Sequence, residues 1–359
     1  MPSATSTTTT SLRWGILGCG KICNDFVMGL QLVDGAEIVA CASRSLDTAR
    51  AFGELHGIPA CYDSYDALCA DPSIDVVYVG TVHTYHFPHT MLALSRGKHV
   101  LVEKPMAMNH RDAAEMVALA QSKNLFLMEA MWTRFFPAVR HARDLLAAGT
   151  IGDVHGVHAD MGFAFPKDAE RIWKRELGGG GLLDIGIYPL AFVSMAFPGQ
   201  VPHRVHTVGA TSDQGVDLYA VVTLQYDGDR YGTIQYSCLA DLREEVTILG
   251  TKGSLRITSP AHAPTSISLR QTGHATDEVV DFPLPKLPPL TTRRAFNFGN
   301  SIGLSYEAAA VQAAITRGDR ESAEYPLTES LFLAKLMDTI RHDLGVVYDA
   351  DDAPRPSCL

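Results

Sequence analysis

Leu12-Arg13-Trp14-Gly15-Ile16-Leu17-Gly18-Cys19-Gly20-Lys21-Ile22 reads as a buried strand that breaks at once into a glycine turn and then a helix. Gly18 allows the tight turn. Gly20 lets the backbone approach a pyrophosphate where Lys21 and Ile22 open the helix, so all four are candidate cofactor contacts. The third small position of such a motif falls on Cys23, small enough to bring helix and strand together. A second strand, 37–42, ends in Ser43-Arg44-Ser45 about twenty-five residues after the glycines, the length of a βαβ unit. An NAD-specific site normally has Asp or Glu there to hold both ribose hydroxyls. Ser43 and Arg44 offer a hydroxyl and a guanidinium, which suit a 2'-phosphate, so NADP is the expected cofactor.

The alternation continues through a helix at 62–70, the strand Val76-Val77-Tyr78-Val79, a helix at 86–96, the strand Val100-Leu101-Val102, a helix at 111–121 and a strand at 125–128. This is the pattern of an α/β domain with a doubly wound parallel Rossmann sheet. Thr81, His83, His86, Glu103 and Lys104 follow strand ends on the edge that faces the cofactor crevice. Lys104 carries a proton whose affinity burial and charge can tune, and Pro105 stiffens the chain that aims it. His83, His86 and His89 have a superficially metal-like spacing, but no Cys or Asp partner stands nearby in sequence, and no metal is expected.

From Trp132 the period changes. A helix at 138–148 precedes strand-like runs at 154–161, 204–210, 217–226, 231–239, 244–249 and 254–258, several joined by short turns. With helices at 185–197, 307–317 and 330–344 they predict an α+β domain with a large, mostly antiparallel open sheet. The stretch 260–290 reads as a long hairpin followed by a loop. The expected organisation is a disordered tail at 1–11, a dinucleotide domain at 12–131 and a substrate and dimerisation domain at 132–359. Gly178-Gly179-Gly180-Gly181 precedes Asp184 and Tyr188, which lie four apart and would share a helix face. The Tyr188 phenol can exchange a proton with a substrate hydroxyl, provided that a cation such as Lys104 lowers its pKa from about 10.

The composition excludes several classes. Forty acidic against thirty basic residues give a formal charge of −10, which argues against binding a polyanion. Seven cysteines, odd in number and without a Cys-x-x-Cys pair, follow no secretory signal and point to reduced thiols in the cytoplasm. The longest apolar run, 182–197, contains Asp184 and Pro189 and is shorter than the roughly 20 residues of a membrane span. Ser357-Cys358-Leu359 resembles a peroxisomal address with its basic middle residue missing.

Taken together, Gly18-Cys19-Gly20, Glu103-Lys104-Pro105 and the segment from Gly179-Gly180 through Asp184 to Tyr188 resemble the Gfo/Idh/MocA oxidoreductase family, over about 11–350. Within it, the run from Leu125 to Pro137, with Gly250-Thr251-Lys252-Gly253 and Ser305-Tyr306-Glu307-Ala308, is similar to dimeric dihydrodiol dehydrogenases and NADP-linked D-xylose dehydrogenases. The resemblance implies a homodimer in which Tyr188 is the general acid/base, assisted by Lys104 and Asp184. It also places Trp132, Arg134 and Phe163 in the substrate or nicotinamide pocket. Inositol dehydrogenases of the family have His where Tyr188 stands, which counts against that substrate. The expected reaction is NADP-dependent oxidation of a cyclic sugar or diol: D-xylose to its lactone, or trans-1,2-dihydrobenzene-1,2-diol to catechol. A keto-sugar reductase using the same residues in reverse, and a non-catalytic NADP-binding sensor, are the alternatives.

Overall fold

The computed structural model describes residues 11–286 and 295–352. The expected N-terminal tail, apart from Ser11, and the C-terminal tripeptide lie outside the described residues. The first sheet has six parallel strands: β1 (Leu12–Leu17), β2 (Ala36–Ala42), β3 (Ala60–Tyr62), β4 (Val76–Val79), β5 (His99–Glu103) and β6 (Leu127–Ala130). Their order is β3-β2-β1-β4-β5-β6. β4 is buried throughout and β1 is buried except at Arg13, as expected of strands covered on both faces. The order reverses between β1 and β4, which opens a crevice beyond their C-terminal ends. Gly18 follows β1, Gly80 follows β4 and Lys104 follows β5, so the sheet delivers all three to that crevice.

Residues 46–62 show a helix and a strand that the apolar period did not mark. Helix Leu46–His56 is defined by its ends: the Ser45 hydroxyl accepts from the Thr48 N–H, and Gly57 closes it in the left-handed region at φ 72°. The helix expected from residue 62 starts at Tyr65, because Tyr62 is still in β3.

The second sheet contains β7 (Val154–Gly162), β8 (Arg204–Thr211), β9 (Asp217–Tyr226), β10 (Arg230–Ser237), β11 (Val246–Gly250), β12 (Gly253–Ile257), β13 (Ser266–Gln271) and β14 (Glu278–Asp281). The order is β14-β13-β12-β11-β7-β10-β9-β8, antiparallel except where β7 and β10 pair in parallel. Helix Ile187–Ala196 is buried at every position and packs on β7 and β10. The apolar window of segment 175–196, long and apolar enough to cross a membrane, is thereby buried inside this domain. The other face leaves Val208, Tyr219 and Val221 exposed.

Two late helices return to the first domain. Leu304–Arg317 packs against helix Lys21–Leu30, and Leu327–Leu344 against helix His110–Ser122. Trp14 Nε1 donates to Gln312 Oε1 at 3.2 Å, and Gln312 Nε2 donates to the Gly35 carbonyl at 2.8 Å. The segment assigned to the second domain by the 132–359 division therefore covers both sheets.

Candidate active site

The glycine turn forms an open cradle. Gly18 sits at φ +110°, and a side chain there would meet Gly80 O at 2.9 Å and Cys23 Sγ at 3.2 Å. Gly20 is the N-cap of helix Lys21–Leu30 with no side-chain cap, and a Cβ on it would touch nothing within 4 Å. The first N–H groups of that helix are therefore free for an anion. Cys23 Sγ bonds the Gly80 carbonyl at 3.2 Å, joining the turns after β1 and β4. Lys21 is exposed and Ile22 half-buried at the helix start; Ser43 is half-buried and Arg44 exposed at the end of β2. These residues fit a dinucleotide cofactor.

At the other end of the crevice, Lys104 Nζ donates to the Asp184 carbonyl at 2.5 Å and lies 5.0 Å from the centre of the Tyr188 ring. Asp184 and Tyr188 reach it from one continuous segment, a π-helical turn at Leu182–Gly186 running into helix Ile187–Ala196. The Gly178–Gly181 run has a steric reason: a Cβ on Gly180 would collide with Asp217, and one on Gly181 would lie 2.7 Å from the Tyr236 ring. Asp184 Oδ1 is 2.6 Å from Arg171, 3.6 Å from Lys104 and 3.8 Å from His83 Nε2. Burial pushes its carboxyl up, but the Lys104 and Arg171 cations more than reverse this and hold it well below the usual carboxylate range. Burial lowers His83 to about 3, so it is neutral and its Nδ1 hydrogen goes to the Gly178 carbonyl, 3.3 Å away. Lys104 is lowered by burial but raised more by Tyr188, Asp184 and Glu103, and stays charged.

Tyr188 is 7% exposed. Burial raises its pKa, Lys104 opposes that, and so does the Trp132 indole, whose N–H donates to the hydroxyl oxygen at 2.9 Å. That bond occupies the oxygen from one side and leaves the phenol hydrogen for another partner. Phe163 stands nearby, half-buried and edge-on to Phe165.

Three expected contacts are instead supports behind the site. His86 is fully buried, with Nδ1 2.7 Å from Pro105 O and Nε2 3.0 Å from Thr81 O, so it braces the turns after β4 and β5. Glu103 points into the core, where it accepts from Tyr78 Oη at 2.7 Å and from the Lys104 N–H at 3.2 Å. Arg134, expected in the substrate pocket, is 3% exposed; it pairs with Glu329 and bonds the Ala191 carbonyl at 3.1 Å. An unpaired guanidinium inside the protein would be costly, and Glu329 on helix Leu327–Leu344 supplied the partner that local sequence did not show. The half-buried Thr81 hydroxyl meets His89 Nδ1 at 3.1 Å. Among the described residues, no group of three His, Cys, Asp or Glu side chains could hold a metal.

Two site residues escaped the sequence reading. Arg171, in a four-residue helical turn before the glycines, binds Asp184 and lies over the Phe165 ring. His262 comes from a loop after β12 and packs against Trp132, Phe163 and Tyr188. Neither sits in a periodic pattern that could have marked it.

Residues 12–131 match the family model described as Oxidoreductase family, NAD-binding Rossmann fold, and residues 139–256 match the GFO/IDH/MocA C-terminal domain. The chain is 41% identical over 343 residues to trans-1,2-dihydrobenzene-1,2-diol dehydrogenase of Bos taurus, covering 95% of this chain and 99% of the relative. The namesake from Danio rerio is also 41% identical over 343 residues, with the same coverage. Among solved structures, a 3-ketoreductase from Actinomadura kijaniata in complex with NADP and TDP-benzene superposes with a TM-score of 0.78 at 24% identity, covering 93% of this chain and 98% of that one. Levoglucosan dehydrogenase in complex with NADH and levoglucosan gives 0.82 at 18% identity, covering 94% and 98%. At these identities the two structures show the fold.

Proposed function

The chain belongs to the Gfo/Idh/MocA oxidoreductase family and is an NAD(P)-dependent oxidoreductase of the dihydrodiol dehydrogenase type, and from that premise we propose that it uses NADP to oxidise a cyclic sugar or diol, with Tyr188 moving the proton. The observation that carries this reading is the convergence of Lys104, Asp184 and Tyr188 at the open end of the crevice. Bound nicotinamide supplies the hydride acceptor. Lys104 holds the reacting oxygen, and Tyr188 Oη takes the hydroxyl proton as the carbinol carbon gives up hydride. Asp184 keeps Lys104 charged and in place, and Trp132 fixes the phenol. D-xylose, giving its lactone, and trans-1,2-dihydrobenzene-1,2-diol, giving catechol, are the substrates to test. The assay is growth of the near-ultraviolet absorbance of reduced nicotinamide; no growth with either substrate would overturn the proposal.

One observation favours a second direction. Because burial outweighs Lys104 at Tyr188, the neutral phenol is the resting form and is ready to give a proton. The same site then reduces a keto-sugar at neutral pH, and oxidation speeds up as the pH rises toward the phenol pKa.

NADP preference rests on Arg44, exposed at the end of β2 with no carboxylate on that strand end. Charge-assisted bonds to the 2'-phosphate are worth ~1.5–3 kcal/mol, so Arg44→Ala should raise the KM for NADP by roughly ten- to a hundredfold and leave that for NAD unchanged. Equal efficiency with both cofactors before mutation would refute the preference. The exposed Val208, Tyr219 and Val221 on the open sheet face support a homodimer. Sedimentation at micromolar concentration should give twice the chain mass, and a monomer would remove that reading. Six described free cysteines support a reducing, cytosolic location.

A further inference from the structure

The cluster of rings around Tyr188 contains one of a different kind. The His262 imidazole lies 5.7 Å from the Tyr188 ring, 5.9 Å from Trp132 and 6.4 Å from Phe163, centre to centre. It is anchored from several sides. Its Nδ1 is 2.8 Å from Glu244 Oε2, with both side chains largely buried. Its carbonyl accepts the Thr133 hydroxyl, from the residue next to Trp132. Glu244 is itself fixed: its N–H donates to Asp160 Oδ1 at 2.7 Å, and its carbonyl accepts from the Ala261 N–H at 2.9 Å. It also adopts φ +55°, a conformation that costs a non-glycine residue and is kept only where the surroundings demand it.

A carboxylate accepts hydrogen bonds and cannot donate them, so the Glu244 contact commits the Nδ1 hydrogen. The ring then offers Nε2 on its far side. A polar nitrogen in an aromatic wall is unfavourable beside a hydrocarbon edge and favourable beside a hydroxyl, which can give or take a hydrogen bond there. We propose that His262, oriented by Glu244, is a specificity-determining residue that reads a substrate hydroxyl beyond the reacting vicinal pair and tunes the site to a cyclic polyol over a dihydroarene diol. This rests on the oxidoreductase reading above and adds the substrate class. A sugar ring presents hydroxyls around its whole edge. A dihydroarene diol has only the pair at the reacting end, and its opposite edge is hydrocarbon.

The test is steady-state kinetics with NADP on D-xylose and on trans-1,2-dihydrobenzene-1,2-diol, for the unmodified enzyme, His262→Phe, His262→Gln and Glu244→Gln. Loss of one hydrogen bond predicts that His262→Phe lowers the sugar-to-diol ratio of kcat/KM by about tenfold or more, mainly through the KM for sugar. His262→Gln, which keeps a polar end, should recover part of the ratio, and Glu244→Gln should fall between. A ratio unmoved in a folded His262→Phe enzyme, or equal losses on both substrates, overturns the proposal. Should that variant fail to fold, an unmoved ratio in Glu244→Gln does so. Oxidation of the diol alone by the unmodified enzyme also overturns it; oxidation of the sugar alone agrees with it, and the KM for sugar then carries the comparison. If neither substrate is oxidised, the parent reading falls and this one with it. If both are oxidised and only the ratio stays fixed, the parent reading stands.

Discussion

Glu103 and Lys104 are neighbours in sequence and face opposite environments. On the side of Lys104, the Asp184 carboxylate meets Arg171 and Lys104 and stays ionised despite its burial. On the side of Glu103, three carboxyls lie close together in the core. Glu103 is pushed up by burial to about 7, Glu129 is raised by burial, and Glu307, fully buried with neither oxygen bonded among the described residues, is raised well above the ordinary value. Burial pushes all four carboxyls the same way; only the one facing two cations resists it. One turn of chain thus separates a charged working surface from a support of carboxyls that burial holds above their ordinary range.

The largest expected difference between the two sides is catalytic. Tyr188→Phe should lose ~10²–10⁴ in kcat, the range of a positioned acid/base, with NADP affinity nearly unchanged. Lys104→Met should cost a similar factor, and the double variant should be little worse than either, since the two act as a unit. Near-full turnover by Tyr188→Phe would move the proton to Asp184 or His83 and break the contrast at its working end.

A smaller effect concerns pH. Asp184 is depressed in the folded state, so the stability it contributes is present above its unfolded pKa and is lost as pH falls through the folded value. Glu103 is raised, so its contribution is complete below about 4.5 and is lost as pH rises through about 7. Glu103→Gln should therefore flatten the fall in Tm between pH about 4.5 and 7, an effect on the order of 1–3 kcal/mol. Thermal melts across that range check it; an unchanged slope would mean that Glu103 is ionised in the fold.

The smallest effect is expected at Glu307. Glu307→Met replaces an unpartnered buried carboxyl with an apolar side chain of similar length, and should raise stability by about 1 kcal/mol with kcat held within about twofold. A drop in Tm would show that the carboxyl has a structural partner.

The sequence already contained the front of this arrangement. Gly18, Gly20, Lys104, Asp184 and Tyr188 sit in short runs whose spacing reflects strand ends and one helix, and these local geometries bring them to the crevice. The sheet architecture was legible for the same reason, since periods of two and of 3.6 are local. The back was not legible. Glu103 adjoins Lys104 in sequence, but its direction depends on Tyr78, twenty-five positions away. Arg134 looked like a pocket cation because Glu329, 195 positions on, cannot be paired with it by inspection. Arg171 and His262 lie in irregular segments, and helix Leu46–His56 carries its signal in its two ends, Ser45 and Gly57, more than in an apolar stripe.

The return of helix Leu304–Arg317 to helix Lys21–Leu30 has a mechanical consequence. Two lobes joined by a single strand of chain can swing like a door about that strand. Here the chain crosses once after β6 and crosses back before Leu304, and the Trp14–Gln312–Gly35 bonds fasten the second crossing to the first lobe. Rotation about either crossing is therefore opposed by the other, as a door is held by a second hinge off the first axis.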